Sequence, residues 1–94
     1  MDKTRYSGRD GIFVEIDIER NRQDIKHGHQ KKHGRHLNEW WLPILIEEVG
    51  ESSSEMLNIH FYGKDEDALR KELIHVASTA VAWIESIDKR SSNV

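Results

Sequence analysis

The sequence predicts an all-α protein, a helical bundle that oligomerisation completes. One proline and six glycines in 94 residues are few for a protein of short strands and turns. Two long segments repeat apolar residues at spacings of three and four, which is the helical period. Gly63 separates these segments. A chain of this length forms one domain, so we expect a single domain over residues 1–94 with flexible ends at 1–11 and 89–94.

The first segment, residues 12–26, is compatible with two structures. Branched apolar residues occupy every second position from 12 to 18, which suits a half-buried strand. A helix is the other possibility. It would place a different set of residues along one side, namely Ile12, Phe13, Ile16, Arg20 and Gln23. The charged run over 19–26 has the composition of a solvated helix. We therefore predict a helix, with a short strand at 12–18 as the alternative.

The second segment predicts a helix from about 39 to 61. Asn38 is a good N-cap, and Glu39 places negative charge in the first turn, where the helix dipole favours it. Gly63 suits the C′ position that ends many helices. The residues returning at helical spacing are Trp41, Leu42, Leu45, Ile46, Val49, Leu57 and Phe61.

The third segment predicts a helix that starts after Asp65 as N-cap and ends near Lys89 and Arg90. Its apolar stripe comprises Leu69, Leu73, Val76, Ala77, Ala80, Ile84 and Ile87. From 76 to 84 the helix is apolar nearly all round, which is typical of a helix buried on all sides. Two other short helices cannot easily bury it, so we expect a homodimer or homotetramer.

Composition narrows the function classes. The 14 basic and 17 acidic residues give a net charge of −3, which makes stable nucleic-acid binding improbable. The absence of cysteine excludes a disulfide framework and a Cys-ligated zinc site. The N-terminal residues lack an apolar signal-peptide core, and no run approaches 18 apolar residues. We therefore expect a cytoplasmic protein with no membrane segment.

Two groups of side chains could carry chemistry. Glu47, Glu48 and Glu51 lie in the second helix among apolar neighbours. Glu72 and His75 lie in the third helix at spacing i, i+3, as do Glu48 and Glu51 in the second. If these helices pack antiparallel, four ligand-type side chains meet, as in the carboxylate metal sites of helical bundles. Such ligands suit Mg²⁺ or Mn²⁺, although glutamate pairs also occur by chance on solvated helices.

Gly50 stands within the second helix, where glycine costs about 1 kcal/mol relative to alanine. We expect it to allow another group to approach the helix closely.

The stretch NEWWLPILIEEVGE over 38–51 and the stretch LRKELIHVASTAVAWIE over 69–85 resemble MazG-like proteins. These are all-alpha nucleoside triphosphate pyrophosphohydrolases, and the resemblance is to their short phage and mobile-element members. It covers about residues 12–88. The family motif is EExxE followed, after a spacer, by ExxD. The first half is complete here, and the second half reads Glu72-Leu-Ile-His75, with histidine where the family places aspartate.

The resemblance implies hydrolysis of a nucleoside or deoxynucleoside triphosphate to the monophosphate and pyrophosphate, with Mg²⁺ as cofactor and Mn²⁺ as the alternative. It implies that Glu48, Glu51 and Glu72 hold the metal together with His75 or a water, and that Glu47 and Glu48 are catalytic. Glu47 would orient the ligand shell or assist the attacking water. A histidine ligand would weaken Mg²⁺ binding and favour Mn²⁺. The alternatives for His75 are a residue that hydrogen-bonds the ligands or a buried polar residue.

Other residues are candidates for substrate contact. Lys31, Lys32 and Arg35 make the loop between the first two helices basic, so it could face phosphate oxygens or be a solvated turn. The same loop holds four histidines without a standard zinc spacing. Trp40 could stack on a base, pack in the core or lie at an interface. Gln23 loosely resembles family positions near the nucleotide.

Two further functions stay open. The chain could be a catalytically weak or inactive helical dimer that binds nucleotide or a protein partner, as the histidine at 75 allows. It could also be a metal-buffering protein that uses the histidines of the 27–36 loop.

Overall fold

The computed structural model describes residues 8–26 and 38–92, which form three α-helices. They are α1 (Gly8–Lys26), α2 (Asn38–Tyr62) and α3 (Asp67–Ser92). The prediction of an all-α chain is confirmed, and residues 12–18 are helical rather than a strand. Helix α1 begins inside the stretch expected to be a flexible N-terminal end, and α3 extends into the one expected at the C-terminal end.

Helix α3 is the central element, because α1 and α2 each pack against it. Within the described ranges, α1 and α2 do not pack on each other. Asn38, at the start of α2, accepts hydrogen bonds from Trp83 Nε1 and an Arg90 guanidinium nitrogen of α3, both at 2.8 Å. Because Glu48, further along α2, approaches the earlier His75 of α3, these two helices run antiparallel.

Helix α1 runs parallel to α3. Glu15 pairs with Arg70, and Arg20, five residues later in α1, pairs with Glu85, which follows Arg70 in α3. The Arg20 guanidinium is 10% exposed and donates to Glu85 at 3.1 and 3.0 Å. This part-buried ion pair fixes α1 against the C-terminal half of α3.

The turn between α2 and α3 follows from two predicted residues. Gly63 has a φ of 64°, a left-handed conformation that glycine adopts without steric cost, and its N–H donates to the Ile59 carbonyl at 3.1 Å. The predicted C′ role of Gly63 is confirmed. Asp65 Oδ1 accepts from the Asp67 N–H at 3.0 Å, so Asp65 supports the helix start and α3 begins at Asp67.

The helices direct much of their apolar surface away from α3. On α1 the less exposed face is mostly polar, and it consists of Gly11, Glu15, Ile16, Glu19, Arg20 and Gln23. The apolar α1 residues Phe13, Ile18 and Ile25 are 60%, 55% and 82% exposed. Of the predicted α2 stripe, only Trp41 and Leu45 turn partly inward. In the described part of the chain, Ala82 is the one hydrophobic residue that is buried, with 8% of its surface exposed.

Small residues occupy the tightest contacts. Ser52, Ser78 and Ser86 are buried, and small side chains let helix backbones approach closely. The hydroxyls of Ser78 and Ser52 donate to the carbonyls of Ile74 and Glu48, four residues earlier in the same helices. None of the described helices is long and apolar enough to cross a bilayer.

Candidate metal centre

Antiparallel packing brings one carboxylate of α2 next to a carboxylate and an imidazole of α3. Glu48, Glu72 and His75 each offer a ligand atom, and these atoms all lie within 4.8 Å of one another. Glu72 and His75 share a face because they are three residues apart on a helix. The three side chains are 26%, 19% and 21% exposed, so the cluster lies between the helices but remains reachable.

The distances within the cluster suit a shared cation better than direct hydrogen bonds. His75 Nδ1 lies 3.5 Å from Glu72 Oε2 and 3.9 Å from Glu48 Oε2. Donors that bind one cation at 2.0 to 2.6 Å lie roughly 3 to 5 Å apart. The observed separations fall inside that range.

Two buried oxygen atoms of the cluster have no hydrogen-bond partner among the described residues. They are Glu48 Oε2 and Glu72 Oε2. A buried polar atom without a partner costs about 1–3 kcal/mol, and more if it is charged. Both atoms face the His75 Nδ1. Carboxylate oxygens are ligands that suit Mg²⁺ and Mn²⁺, and the imidazole nitrogen shifts the preference towards transition metals. The residues present therefore fit a divalent cation.

The carboxylates at this site repel one another. Burial raises the pKa of Glu48, and the negative charges of Glu72, Glu47 and Glu19 raise it further, while His75 opposes this shift. The pKa of Glu51 is raised chiefly by a hydrogen bond with Glu72 and then by the charge of Glu48. A bound cation would lower the pKa of Glu48 and of Glu51, because its positive charge offsets the negative charges that disfavour ionisation.

Glu19 of α1 also faces the cluster, and sequence reasoning missed it. Its Oε2 lies 3.8 Å from His75 Nε2, on the side of the ring opposite Glu48 and Glu72. Arg22 donates to both Glu19 oxygens at 2.9 and 2.6 Å and lowers the pKa of this carboxyl. The sequence feature that could have indicated Glu19 is a polar face, because helical spacing places Glu15, Glu19 and Gln23 on one side of α1.

The other predicted site residues occupy different positions. Glu47 and Glu51 are exposed on α2, and Glu51 lies beside Glu72 at the rim of the cluster. Gln23 accepts from Arg20 at 2.9 Å and donates to Glu19 at 3.4 Å. Trp40 is 61% exposed, two helical turns before Glu48. The loop residues Lys31, Lys32 and Arg35 and the four loop histidines lie outside the described residues.

Comparisons of the chain with protein-family models, with curated proteins and with solved structures found no match.

Proposed function

We propose that the protein is a divalent-cation-dependent nucleoside triphosphate pyrophosphohydrolase, which releases the monophosphate and pyrophosphate. The observation that carries this proposal is the convergence of Glu48, Glu72 and His75, with two buried carboxylate oxygens that have no hydrogen-bond partner within residues 8–26 and 38–92. The order and spacing of the EExxE and ExxH segments, which resemble MazG-like proteins, supply the reaction class.

In this proposal Glu48, Glu72 and His75 hold Mg²⁺ or Mn²⁺, and Glu51 joins them from the exposed rim. When bound, the cation neutralises phosphate oxygens and favours attack by water at phosphorus. The water oxygen bonds to the α-phosphorus, and the bond from that phosphorus to the bridging oxygen of pyrophosphate breaks. Glu47, exposed next to Glu48, is the carboxylate that accepts the water proton or orients the water.

We also propose that a second copy of the chain covers the exposed apolar faces. Phe13, Ile18 and Ile25 of α1 are 60%, 55% and 82% exposed, and α2 exposes further large apolar residues, with Trp40 at 61% and Phe61 at 67%. Exposed apolar patches of this kind mark surfaces that a partner covers. Light scattering at micromolar concentration should give a multiple of 11.0 kDa, and a monomer would contradict this part of the proposal.

The experiment that tests the activity is pyrophosphate release from the eight common nucleoside and deoxynucleoside triphosphates, with Mg²⁺ and with Mn²⁺. Turnover should require metal and should be lost in Glu48→Gln and Glu72→Gln. Glu55→Gln is the matched control, because Glu55 is a partly exposed carboxylate of α2 that accepts a 3.4 Å hydrogen bond from Asn58 and is not a member of the cluster. Full turnover in Glu72→Gln would place the chemistry elsewhere.

His75 supports a second candidate, a helical oligomer that binds nucleotide without hydrolysing it. A neutral imidazole brings no negative charge, so this site attracts Mg²⁺ less than one with aspartate at this position. Metal-dependent nucleotide binding without pyrophosphate release would favour this candidate.

A further inference from the structure

We propose that Glu19 is a positioning residue for His75. In this inference its carboxylate accepts the Nε2–H of the imidazole and leaves the Nδ1 lone pair directed at Glu48 and Glu72. The two ring nitrogens face opposite carboxylates, with Glu19 Oε2 at 3.8 Å from Nε2 and Glu72 Oε2 at 3.5 Å from Nδ1. The inference rests on the proposed cation site.

The tautomer of His75 decides whether the ring can bind a cation. A neutral imidazole has one N–H and one lone pair, and only the nitrogen with the lone pair can be a ligand. Glu48 and Glu72 alone would draw the proton to Nδ1, because both lie on that side. A carboxylate on the other side offsets this preference, and histidines that bind metals commonly donate their second N–H to such a carboxylate.

The hydrogen bond requires a small movement. The distance of 3.8 Å between Glu19 Oε2 and His75 Nε2 is longer than a hydrogen bond. A shift of about 1 Å closes it, and such contacts often tighten only when a site is loaded.

Glu19 is held where this role requires it. Its side chain is 12% exposed, Arg22 donates to both oxygens, and Gln23 Nε2 donates to Oε2 at 3.4 Å. Gln23 in turn accepts from Arg20, which is bound to Glu85 of α3. This chain of contacts links the carboxylate to α3 through α1. The position of Glu19 also gives a reason why histidine can replace aspartate at position 75. An imidazole ligand needs a group that fixes its tautomer, whereas an aspartate ligand would not.

The first test is Mn²⁺ affinity, measured by electron paramagnetic resonance without substrate. Glu19→Ala should weaken Mn²⁺ binding by about 10- to 100-fold. Glu19→Gln should lose less, because its amide oxygen still accepts a hydrogen bond. Glu15→Ala is the matched control, since Glu15 is another carboxylate of α1 and pairs with Arg70 of α3. It should bind Mn²⁺ like the wild type, although it removes a closer contact between α1 and α3.

A double-mutant comparison separates positioning from a general loss of structure. In the His75→Ala background, Glu19→Ala should change Mn²⁺ affinity no further. Equal losses from Glu19→Ala in both backgrounds would overturn the inference, because the carboxylate would then act independently of the ring.

Nitrogen NMR of the Mg²⁺-loaded protein gives a second readout that does not depend on the folding of Glu19→Ala. The His75 ring, assigned by its absence in His75→Ala, should carry its proton on Nε2, and Glu19→Gln should weaken that preference. A proton on Nδ1 in the wild type would overturn the inference. Mn²⁺ affinity that depends on His75 but not on Glu19 would overturn this inference alone, whereas a wild type that binds no Mn²⁺ would overturn the proposed function as well.

Discussion

Replacing Glu48 by glutamine should have opposite effects on the empty and on the metal-loaded protein. The ligand atoms of Glu48 and Glu72 lie within 4.8 Å. At that distance two negative charges repel by about 0.9 kcal/mol in water and about 3.5 kcal/mol at an effective dielectric constant of 20. Both side chains are partly exposed, so we expect Glu48→Gln to stabilise the metal-free protein by about 1–3 kcal/mol. For a domain of this size each kcal/mol raises Tm by roughly 4–8 °C.

The assay is thermal unfolding in EDTA and then in excess Mn²⁺, at one protein concentration. Mn²⁺ should raise the Tm of the wild type, because a ligand that binds the folded state stabilises it, and it should leave Glu48→Gln almost unchanged. Glu55→Gln should respond to Mn²⁺ as the wild type does. The reasoning would be refuted if metal-free Glu48→Gln had a lower Tm than the wild type. It would also be refuted if Mn²⁺ raised the Tm of Glu48→Gln as much as that of the wild type.

Three further predictions concern pH and stability. The pKa of Glu48 is raised in the folded protein, so ionisation of Glu48 destabilises the metal-free fold as the pH rises through that pKa. In urea titrations the extra stability of Glu48→Gln over the wild type should therefore vanish below about pH 4.5, the ordinary pKa of a glutamate. Arg20→Ala should cost about 2–3 kcal/mol by urea unfolding, below the 3–5 kcal/mol for a fully buried pair, because Glu85 is 42% exposed and can be hydrated; a loss under 0.5 kcal/mol would contradict the anchoring role. A Cβ at Gly50 would meet none of the described residues within 4 Å, so Gly50→Ala should stabilise the fold by about 0.5–1 kcal/mol. A loss of oligomer by light scattering would show that a partner subunit approaches there.

The sequence predicted the parts of the fold that depend on local rules. Gly63 and Asp65 mark the end of α2 and the start of α3, because a left-handed glycine and an aspartate cap act within a few residues. Once α2 and α3 were expected to pack antiparallel, the spacing of Glu72 and His75 was enough to bring them near Glu48.

Glu19 could not be predicted in the same way, because apolar periodicity is misleading on α1. A helix usually buries its apolar side, but here the polar side with Glu19 and Arg20 faces α3 while Phe13 and Ile18 are exposed. The ion pair of Arg20 with Glu85, 65 residues apart, determines this orientation, and no local pattern reveals it. The exposed apolar residues of α1 and α2 find no cover among the described residues of one chain.

The most direct test of the central claim is cation binding by Glu72→Gln. Glu72 supplies a buried oxygen for which the described part of the chain offers no hydrogen-bond partner. Glu66, just before α3, is exposed and provides the matched control Glu66→Gln. Titration of Mn²⁺ without nucleotide should give saturable binding in the wild type and in Glu66→Gln, and a loss of at least tenfold in affinity in Glu72→Gln. Equal Mn²⁺ affinity in all three proteins would contradict the assignment of this cluster as a metal centre.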